Sequence, residues 1–181
     1  MNCELFGPPG SGKTYYIKHY YRKQITLTRI QKIFWFLFSF FKHPLFYTYI
    51  LKEIFFQKTP LKIYLKKVIL LIDFGSRTEY NLNKEGIVED TLVQYIYSLY
   101  DYKITLTKVK KYFTKLFYSP KKILIFEIPD ELRIKRQIER KRFSRRQYGE
   151  KYFMRWRNVS KSNYKIIVKY IKQTFNYDIF Y

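Results

Sequence analysis

Apolar residues in this chain fall into short runs that end at turn residues, and their spacing predicts alternating strands and helices. The stretch NCELFG (residues 2–7) is a short apolar run that enters a glycine-rich turn, and KTYYIKHYYRKQ (13–24) then has the pattern of a helix. The apolar run 123–128 predicts a buried strand, and YDIFY (177–181) predicts a last one. Strands that alternate with helices indicate a single α/β domain over residues 1–181.

The middle of the chain allows two interpretations. Helical spacing relates Leu61, Leu65 and Ile72, whereas VILLID is also an apolar run ending in Asp73, as in a buried parallel strand. We favour a helix over 61–73, with a turn and then a short strand at 80–83. The alternative makes residues 68–72 the core strand beside residues 3–6.

The remaining elements follow from local pattern. ITLT (25–28) predicts a second short strand, and helices are expected over 88–100 and 105–118. Pro129 and Asp130 start a helix whose first turn is acidic, which suits the helix dipole. Two closing helices are predicted, over 150–157 and 161–174.

An aromatic-rich segment occupies residues 28–58. Its first uninterrupted apolar stretch, Ile33–Phe41, is far shorter than the roughly 20 residues of a membrane span. Joining it to LFYTYIL would bury Lys42 in mid-membrane. We therefore predict two helices broken at Pro44 that pack on the sheet or form a lid. A peripheral membrane contact is the alternative.

Composition modifies this picture in one respect. The 181 residues include 36 Lys and Arg against 14 Asp and Glu, a formal charge of +22. A basic protein suggests an anionic partner such as nucleic acid. However, the lysines are scattered, and Tyr, Phe and Lys are all abundant while Ala is absent, so we favour a general compositional bias. The single cysteine, Cys3, excludes an intrachain disulfide and fits a reducing, cytoplasmic compartment.

The stretch GPPGSGKT is the strongest chemical signal in the chain. It places three of the six glycines within six positions and matches G-x-x-x-x-G-K-[ST] throughout. Backbone amides of such a loop surround a phosphate, the lysine reaches the β- and γ-phosphates, and the Ser/Thr hydroxyl holds Mg²⁺. The predicted ATP-binding residues are Gly7, Pro8, Pro9, Gly10, Ser11, Gly12, Lys13 and Thr14.

With this loop between a strand and a helix, the chain resembles the P-loop NTPases, and among them the nucleotide-kinase and thymidylate-kinase-like group. The segment IFEIPDELRIKRQIERK resembles the part of those kinases where a strand ends, a helix begins and arginines follow toward a lid. The resemblance implies a three-layer fold with a central, mainly parallel sheet flanked by helices. It also implies an arginine-rich lid near 140–150 and catalytic roles for Arg136 and Arg140.

The arginines also form a pattern of their own. Arg133, Arg136 and Arg140 are three and four residues apart and therefore share one helix face. Guanidinium groups above a phosphate loop would neutralise charge on a phosphoryl group in transfer. Arg142, Arg145 and Arg146 extend the row. Binding of RNA by this arginine-rich helix is the alternative.

A carboxylate is needed to organise Mg²⁺ or to orient an acceptor hydroxyl. The candidates are Asp73, Glu85, Glu89 and Asp90. YNLNKEGIVEDTLVQ resembles a strand that ends in an Asp-Glu-Gly turn in some kinases, although Lys84 stands where the Asp would be. Gly86 permits the sharp turn that would present Glu85, so we favour Glu85 for catalysis and retain Asp73 as a metal ligand.

These residues predict an ATP- and Mg²⁺-dependent phosphotransferase that acts on a small molecule such as a nucleoside, nucleotide or sugar. Two other classes remain open. GPPGSGK is also a loop spelling of AAA-type ATPases, although the chain is short for that class. A basic RNA- or membrane-associated NTP-binding protein is the second.

Overall fold

The computed structural model describes residues 3–20, 26–57, 59–83, 91–139 and 149–181. In these ranges the chain forms, in order, β1 (Cys3–Phe6), α1 (Lys13–Tyr20), α2 (Arg29–Lys42), α3 (Pro44–Phe55), α4 (Leu61–Asn83), α5 (Leu92–Leu99), α6 (Leu106–Lys115), β2 (Lys122–Phe126), α7 (Asp130–Glu139), α8 (Glu150–Thr174) and β3 (Tyr177–Phe180).

The described strands form one parallel sheet in the order β1-β2-β3. Leu5 pairs with Leu124, and Ile125 pairs with Ile179. Both neighbours of β2 run parallel to it, and long helical connections link the strands in sequence, as parallel pairing demands. The prediction of an α/β domain with a parallel sheet is confirmed, as are the strands at the start and end of the chain and the one near residue 123.

Side chains of the strands alternate between two buried clusters, because successive strand residues point to opposite faces. Leu5 and Leu124 pack with Ile17 of α1 in a small cluster. Phe6 and Ile125 belong to a much larger cluster that also contains residues of α3, α4, α5, α6 and α8. The start of α1, where the glycine loop ends, is thus fixed against one sheet face, and the helical body covers the other.

The aromatic segment forms two helices that meet at Pro44, as predicted. Thr28 caps α2 in a reciprocal capping box with Gln31, so the chain is already non-strand there and the short strand predicted at 25–28 is wrong for its described residues 26–28. Helix α3 is buried through Phe46, Tyr47, Ile50 and Ile54. No helix in the described ranges is both long and apolar enough to cross a bilayer.

Helix α2 packs on the rest of the protein through one face only. Its inner face contacts α4, but six large apolar side chains on the outer face are 44–81% exposed: Ile30, Ile33, Phe34, Leu37, Phe38 and Phe41. The sequence pattern hid this difference because α2 is apolar on both faces. Packing in the core is confirmed for α3 and for the inner face of α2, where Phe36 and Phe40 lie against the large cluster, and the lid alternative stays a prediction.

Helix α4 resolves the ambiguous middle of the chain. Residues 61–73 are helical as favoured, so the strand interpretation of VILLID is wrong, and so is the strand predicted at 80–83. The helix continues because its polar residues find partners. Thr78 donates to the carbonyl of Phe74 and accepts the amide of Leu92, while buried Glu79 accepts from Lys42 at 3.0 Å.

The two predicted closing helices are one continuous helix, α8. Ser160 lies at the predicted break, and its hydroxyl donates to the carbonyl of Arg157 within the helix. Asn163 is also buried, where it accepts the amide of Ile104 and donates to the carbonyl of Tyr102. Asn163 therefore joins α8 to the loop before α6, and the helix does not end at this polar segment.

Candidate phosphate-binding site

The glycine loop lies between β1 and α1 at the carboxyl edge of the sheet. Gly10 and Gly12 have φ values of 84° and 95°, a left-handed conformation that favours glycine. The amide of Ser11 donates to the carbonyl of Pro8 at 3.2 Å, which tightens the turn. The loop therefore has the backbone that its glycine spacing predicts.

Lys13 is buried although it begins a helix. Its ammonium group donates to the carbonyl oxygen of Gly7 at 2.7 Å and reaches that of Pro8 at 3.5 Å. Lysine is almost never fully buried without such contacts, since its charge must be solvated by something. The contacts hold the cation within the loop, where a phosphate would be bound.

Helix α7 packs directly against the loop. The side-chain amide of Gln137 donates to the carbonyl of Pro9 at 2.6 Å. A methyl group at Gly10 would lie 2.9 Å from the carbonyl oxygen of Arg133, and one at Gly12 would lie 3.4 Å from Nη1 of Arg136. The structure thus brings Arg136 next to the loop.

Helix α5 forms the opposite wall and was missed by sequence reasoning. Gln94 accepts the amide of Gly7 at 3.0 Å, and Tyr97 and Ser98 line the same cavity of about 190 Å³ with Phe74 and the loop. Gln94 and Ser98 are four residues apart in an otherwise apolar helix. This polar pair on one helix face was the available signal.

The loop offers oxygen and nitrogen groups of the kind that a Mg²⁺-bound phosphate needs. Ser11 is buried, lines the cavity, and its hydroxyl has no hydrogen-bond partner among the described residues. Half-buried Thr14 also lines the cavity. Hydroxyl oxygens are suitable Mg²⁺ and phosphate ligands, and a buried hydroxyl without a partner is costly, so this cavity fits the predicted ligand.

The predicted carboxylates have different positions. Asp73 lies within α4, where Lys32 and Arg77 form ion pairs with it. No Asp or Glu stands among the described residues that line the loop cavity. Glu85, Glu89, Asp90 and Arg140 lie outside the described residues, as does most of the predicted lid, so the roles given to them stay predictions, like the metal role of Asp73.

A buried carboxyl group connects β1, the strand before the loop, to the start of α5. Glu4 in β1 accepts hydrogen bonds from the hydroxyls of Thr91 and Tyr118. Burial raises the pKa of Glu4 to about 7, and these two bonds oppose the rise. Thr91 also precedes α5, so Glu4 links the strand before the loop to the start of its α5 wall.

A parallel sheet in which β1 enters this glycine loop, with the lysine at the start of the next helix, is an α/β P-loop arrangement. Deoxyadenosine kinase from M. mycoides has this fold in structures similar to the present one. The structure with the products dCMP and a flexible dCDP has a TM-score of 0.57 at 18% identity, covering 100% of this chain and 90% of that one. The structure with bound dATP has a TM-score of 0.57 at 17% identity, covering 100% of this chain and 90% of that one. The structure with bound dCTP has a TM-score of 0.51 at 17% identity, covering 99% of this chain and 89% of that one.

No protein-family model matches the chain. No curated protein sequence matches it either. At 17–18% identity, the structural likeness shows a shared fold. The narrower thymidylate-kinase-like assignment stays a prediction.

Proposed function

We propose that this protein is an ATP-dependent phosphotransferase that phosphorylates a nucleoside-type small molecule. The observation that carries the proposal is the loop cavity, where buried Lys13 and the unpartnered hydroxyl of Ser11 lie beside Arg136. The similar structures are of deoxyadenosine kinases with nucleotides bound, which supports a nucleoside as acceptor. The two-sided packing of the sheet agrees with the three-layer arrangement that we propose for the whole chain.

The loop would hold the donor's phosphates. Backbone amides from Gly10 to Thr14 and the start of α1 provide a positive end for the phosphate oxygens. Lys13 would exchange the carbonyls of Gly7 and Pro8 for the β- and γ-phosphates. Thr14 would hold Mg²⁺, which supplies charge neutralisation between the β- and γ-phosphates.

Arg136 would stabilise the phosphoryl group in transfer. It lies beside Gly12 of the loop, on a helix that Gln137 fixes to Pro9. A cation held in place before the reaction needs little reorganisation when charge develops. Arg140, one turn further along the same sequence pattern, would act with it, as the first residue of an arginine-rich lid over 140–150.

The acceptor hydroxyl would attack the γ-phosphorus, the bond from that phosphorus to the bridging oxygen would break, and ADP would leave. Glu85 would accept the hydroxyl proton. The ion pairs of Asp73 with Lys32 and Arg77 make it the weaker candidate for a catalytic or metal role. Gln94, Tyr97 and Ser98 would line the side on which the acceptor approaches.

The proposal is tested by following ADP and phosphorylated product together, with Mg-ATP and a panel of nucleosides, deoxynucleosides, nucleotides and sugars. We expect one ADP for each phosphorylated nucleoside. Arg136→Ala should lower kcat by about 10²–10³-fold with a small change in ATP affinity. Arg155→Ala is the matched control, since Arg155 is an exposed arginine of α8, and it should retain turnover.

Two results would contradict the proposal. ADP formed at the same rate with and without every acceptor would indicate an ATPase. Equal kcat in the Arg136→Ala and Arg155→Ala variants would remove Arg136 from the transition state.

A further inference from the structure

A second, larger cavity lies beside the glycine loop. This groove has a volume of about 790 Å³ and runs between α8 and the segment that joins β2 to α7. Its floor contains Tyr97, Phe126, Tyr164 and Val168, and Pro8 borders it on the loop side. Tyr181 lines it too and is 82% exposed. The groove therefore offers apolar and aromatic surface next to the phosphate-binding cavity, with about four times its volume.

One wall of the groove is a row of lysines. Lys161, Lys165, Lys169 and Lys172 follow one another at intervals of four, four and three residues, so they share one face of α8, and all four line the groove. Eleven residues of helix rise about 17 Å. Successive lysines are thus about 6 Å apart along the helix axis, and we call this row the lysine ladder.

The charge of this wall is only partly neutralised. Lys161 pairs with Asp130 and Lys172 pairs with Glu127, at 2.7 and 2.8 Å. Within the described ranges, neither Lys165 nor Lys169 lies within ion-pair distance of a carboxylate. The two middle steps of the ladder therefore present positive charge to whatever enters the groove.

Arg133 adds a buried donor at the loop end. The residue is 9% exposed and lines the groove, and Nη2 donates to Asp130 at 2.7 Å. The Nε–H group is buried and has no hydrogen-bond partner in the part of the chain that the structure describes. An unsatisfied buried donor is costly, and an oxygen of an entering anion would satisfy it.

We propose that this groove binds a single-stranded nucleic acid, with successive backbone phosphates along Lys165 and Lys169 and a base stacked on Tyr181. A lysine ladder about 17 Å long is longer than one nucleotide requires, and its length suits several phosphates of a linear polyanion. Aromatic surface beside such a ladder is the combination by which proteins bind single strands without reading sequence. The charge of +22 on the whole chain favours encounter with a polyanion.

This function is separate from the proposed phosphotransfer and does not rest on it. Lys13 lines the loop cavity and is absent from the groove lining, whereas Lys165 and Lys169 line only the groove. Lys13→Ala should therefore retain oligonucleotide binding. Failure of one proposal leaves the other testable.

The test is anisotropy titration of a short fluorescent oligo-dT into the full chain at several salt concentrations. The Lys165→Glu/Lys169→Glu variant should weaken binding at least tenfold. It should also reduce the slope of log K against log salt by about 1.4, which corresponds to two lost phosphate contacts on a single strand. Tyr181→Ala should weaken binding about fivefold or more through lost stacking.

The control variant is Lys103→Glu/Lys110→Glu, which makes the same charge change at two exposed lysines outside the groove. It should weaken binding less than threefold. Unchanged melting temperatures establish that both double variants fold. If Lys165→Glu/Lys169→Glu does not fold, Lys165→Gln/Lys169→Gln repeats the test without charge reversal.

Three outcomes would overturn the proposal. Equal losses in the two pairs would mean that only net charge matters. Binding of inorganic polyphosphate with equal affinity, insensitive to Tyr181→Ala, would indicate a site for simple polyanions. Displacement of the oligonucleotide by saturating Mg-ATP would assign the groove to the nucleotide donor.

Discussion

Two lysines are buried in the described part of this basic chain, and their surroundings differ. Lys67 in α4 is fully buried, pairs with Asp101 at 2.7 Å and donates to Gln57 at 2.6 Å. Lys13 in the loop donates to carbonyl oxygens of the loop itself. A carboxylate holds the first cation, whereas the loop carbonyls that the second contacts are dipoles that a bound anion can replace.

The difference separates a cation paired with a buried carboxylate from one that donates to backbone carbonyls of the loop. Asp101 is also buried, so the Lys67–Asp101 ion pair solvates each of two charges that water does not reach. The carbonyls around Lys13 belong to a loop that β1, α5 and α7 hold in place.

The largest effect should come from the structural pair. Lys67→Ala removes the ammonium group that pairs with buried Asp101, and we expect a loss of about 3–5 kcal/mol in the free energy of unfolding. Chemical denaturation measures it, with Lys62→Ala, an exposed lysine of the same helix, as the control. Equal midpoints for the two variants would contradict a structural role for Lys67.

Glu4 extends the comparison to a buried acid near the loop. Its pKa is raised from 4.5 to about 7 by burial. Between these pH values the unfolded chain releases a proton that the folded chain keeps, so stability falls as pH rises from 4.5 to 7 and is level above. Glu4→Gln has no carboxyl group to titrate, so this pH-dependent loss is absent. The free energy of unfolding of the variant minus that of the parent should therefore rise by about 3 kcal/mol between pH 4.5 and 8.

Denaturant midpoints of both proteins across this pH range test the prediction. Parallel pH profiles for Glu4→Gln and the parent would mean that Glu4 is ionised in the fold at neutral pH.

Lys13→Ala should alter ligand binding more than folding. Mg-ATP at 100 times its dissociation constant should stabilise the parent by about 2.7 kcal/mol, and the variant should lose most of this gain. Thermal melts with and without Mg-ATP measure it, beside Lys18→Ala on the exposed side of α1. A full nucleotide shift in Lys13→Ala would place the phosphates elsewhere.

The smallest effect distinguishes two glycines. Gly10 and Gly149 both have positive φ, so alanine at either should cost about 1–3 kcal/mol of stability. Only at Gly10 would the methyl group meet the backbone of α7, 2.9 Å from the carbonyl oxygen of Arg133. Gly10→Ala should therefore also reduce the Mg-ATP shift, whereas Gly149→Ala, whose methyl group would meet no described residue within 4 Å, should keep it. Equal shifts would mean that the contact with α7 does not matter.

Local signals were sufficient to predict the loop and the three described strands. The loop needs glycine at fixed positions, and the strands are short apolar runs next to turn residues. Arg136 was predicted from its spacing and from a resemblance, and the structure brings it to the loop because Gln137 binds Pro9.

Tertiary contacts decided what the sequence left open. Thr78 has a low intrinsic preference for helices, and Glu79 has a high desolvation cost when it is buried. Helix α4 continues through them because Thr78 accepts the amide of Leu92 and Glu79 accepts from Lys42. The α5 wall was missed because Gln94 becomes a site residue only when it meets the amide of Gly7. Exposure of α2 could not be predicted, since a helix apolar on both faces does not indicate which face is covered.

The sheet joins the beginning of the chain to its end. Cys3 pairs with Lys122, and Ile123 pairs with Tyr177. During synthesis the glycine loop leaves the ribosome long before the strands beside it and the helix that packs on it. Contacts so distant in sequence form late and slowly. A stalled chain that ends before residue 122 would carry the whole glycine motif and still lack β2, which pairs with β1, and α7, which binds the loop through Gln137.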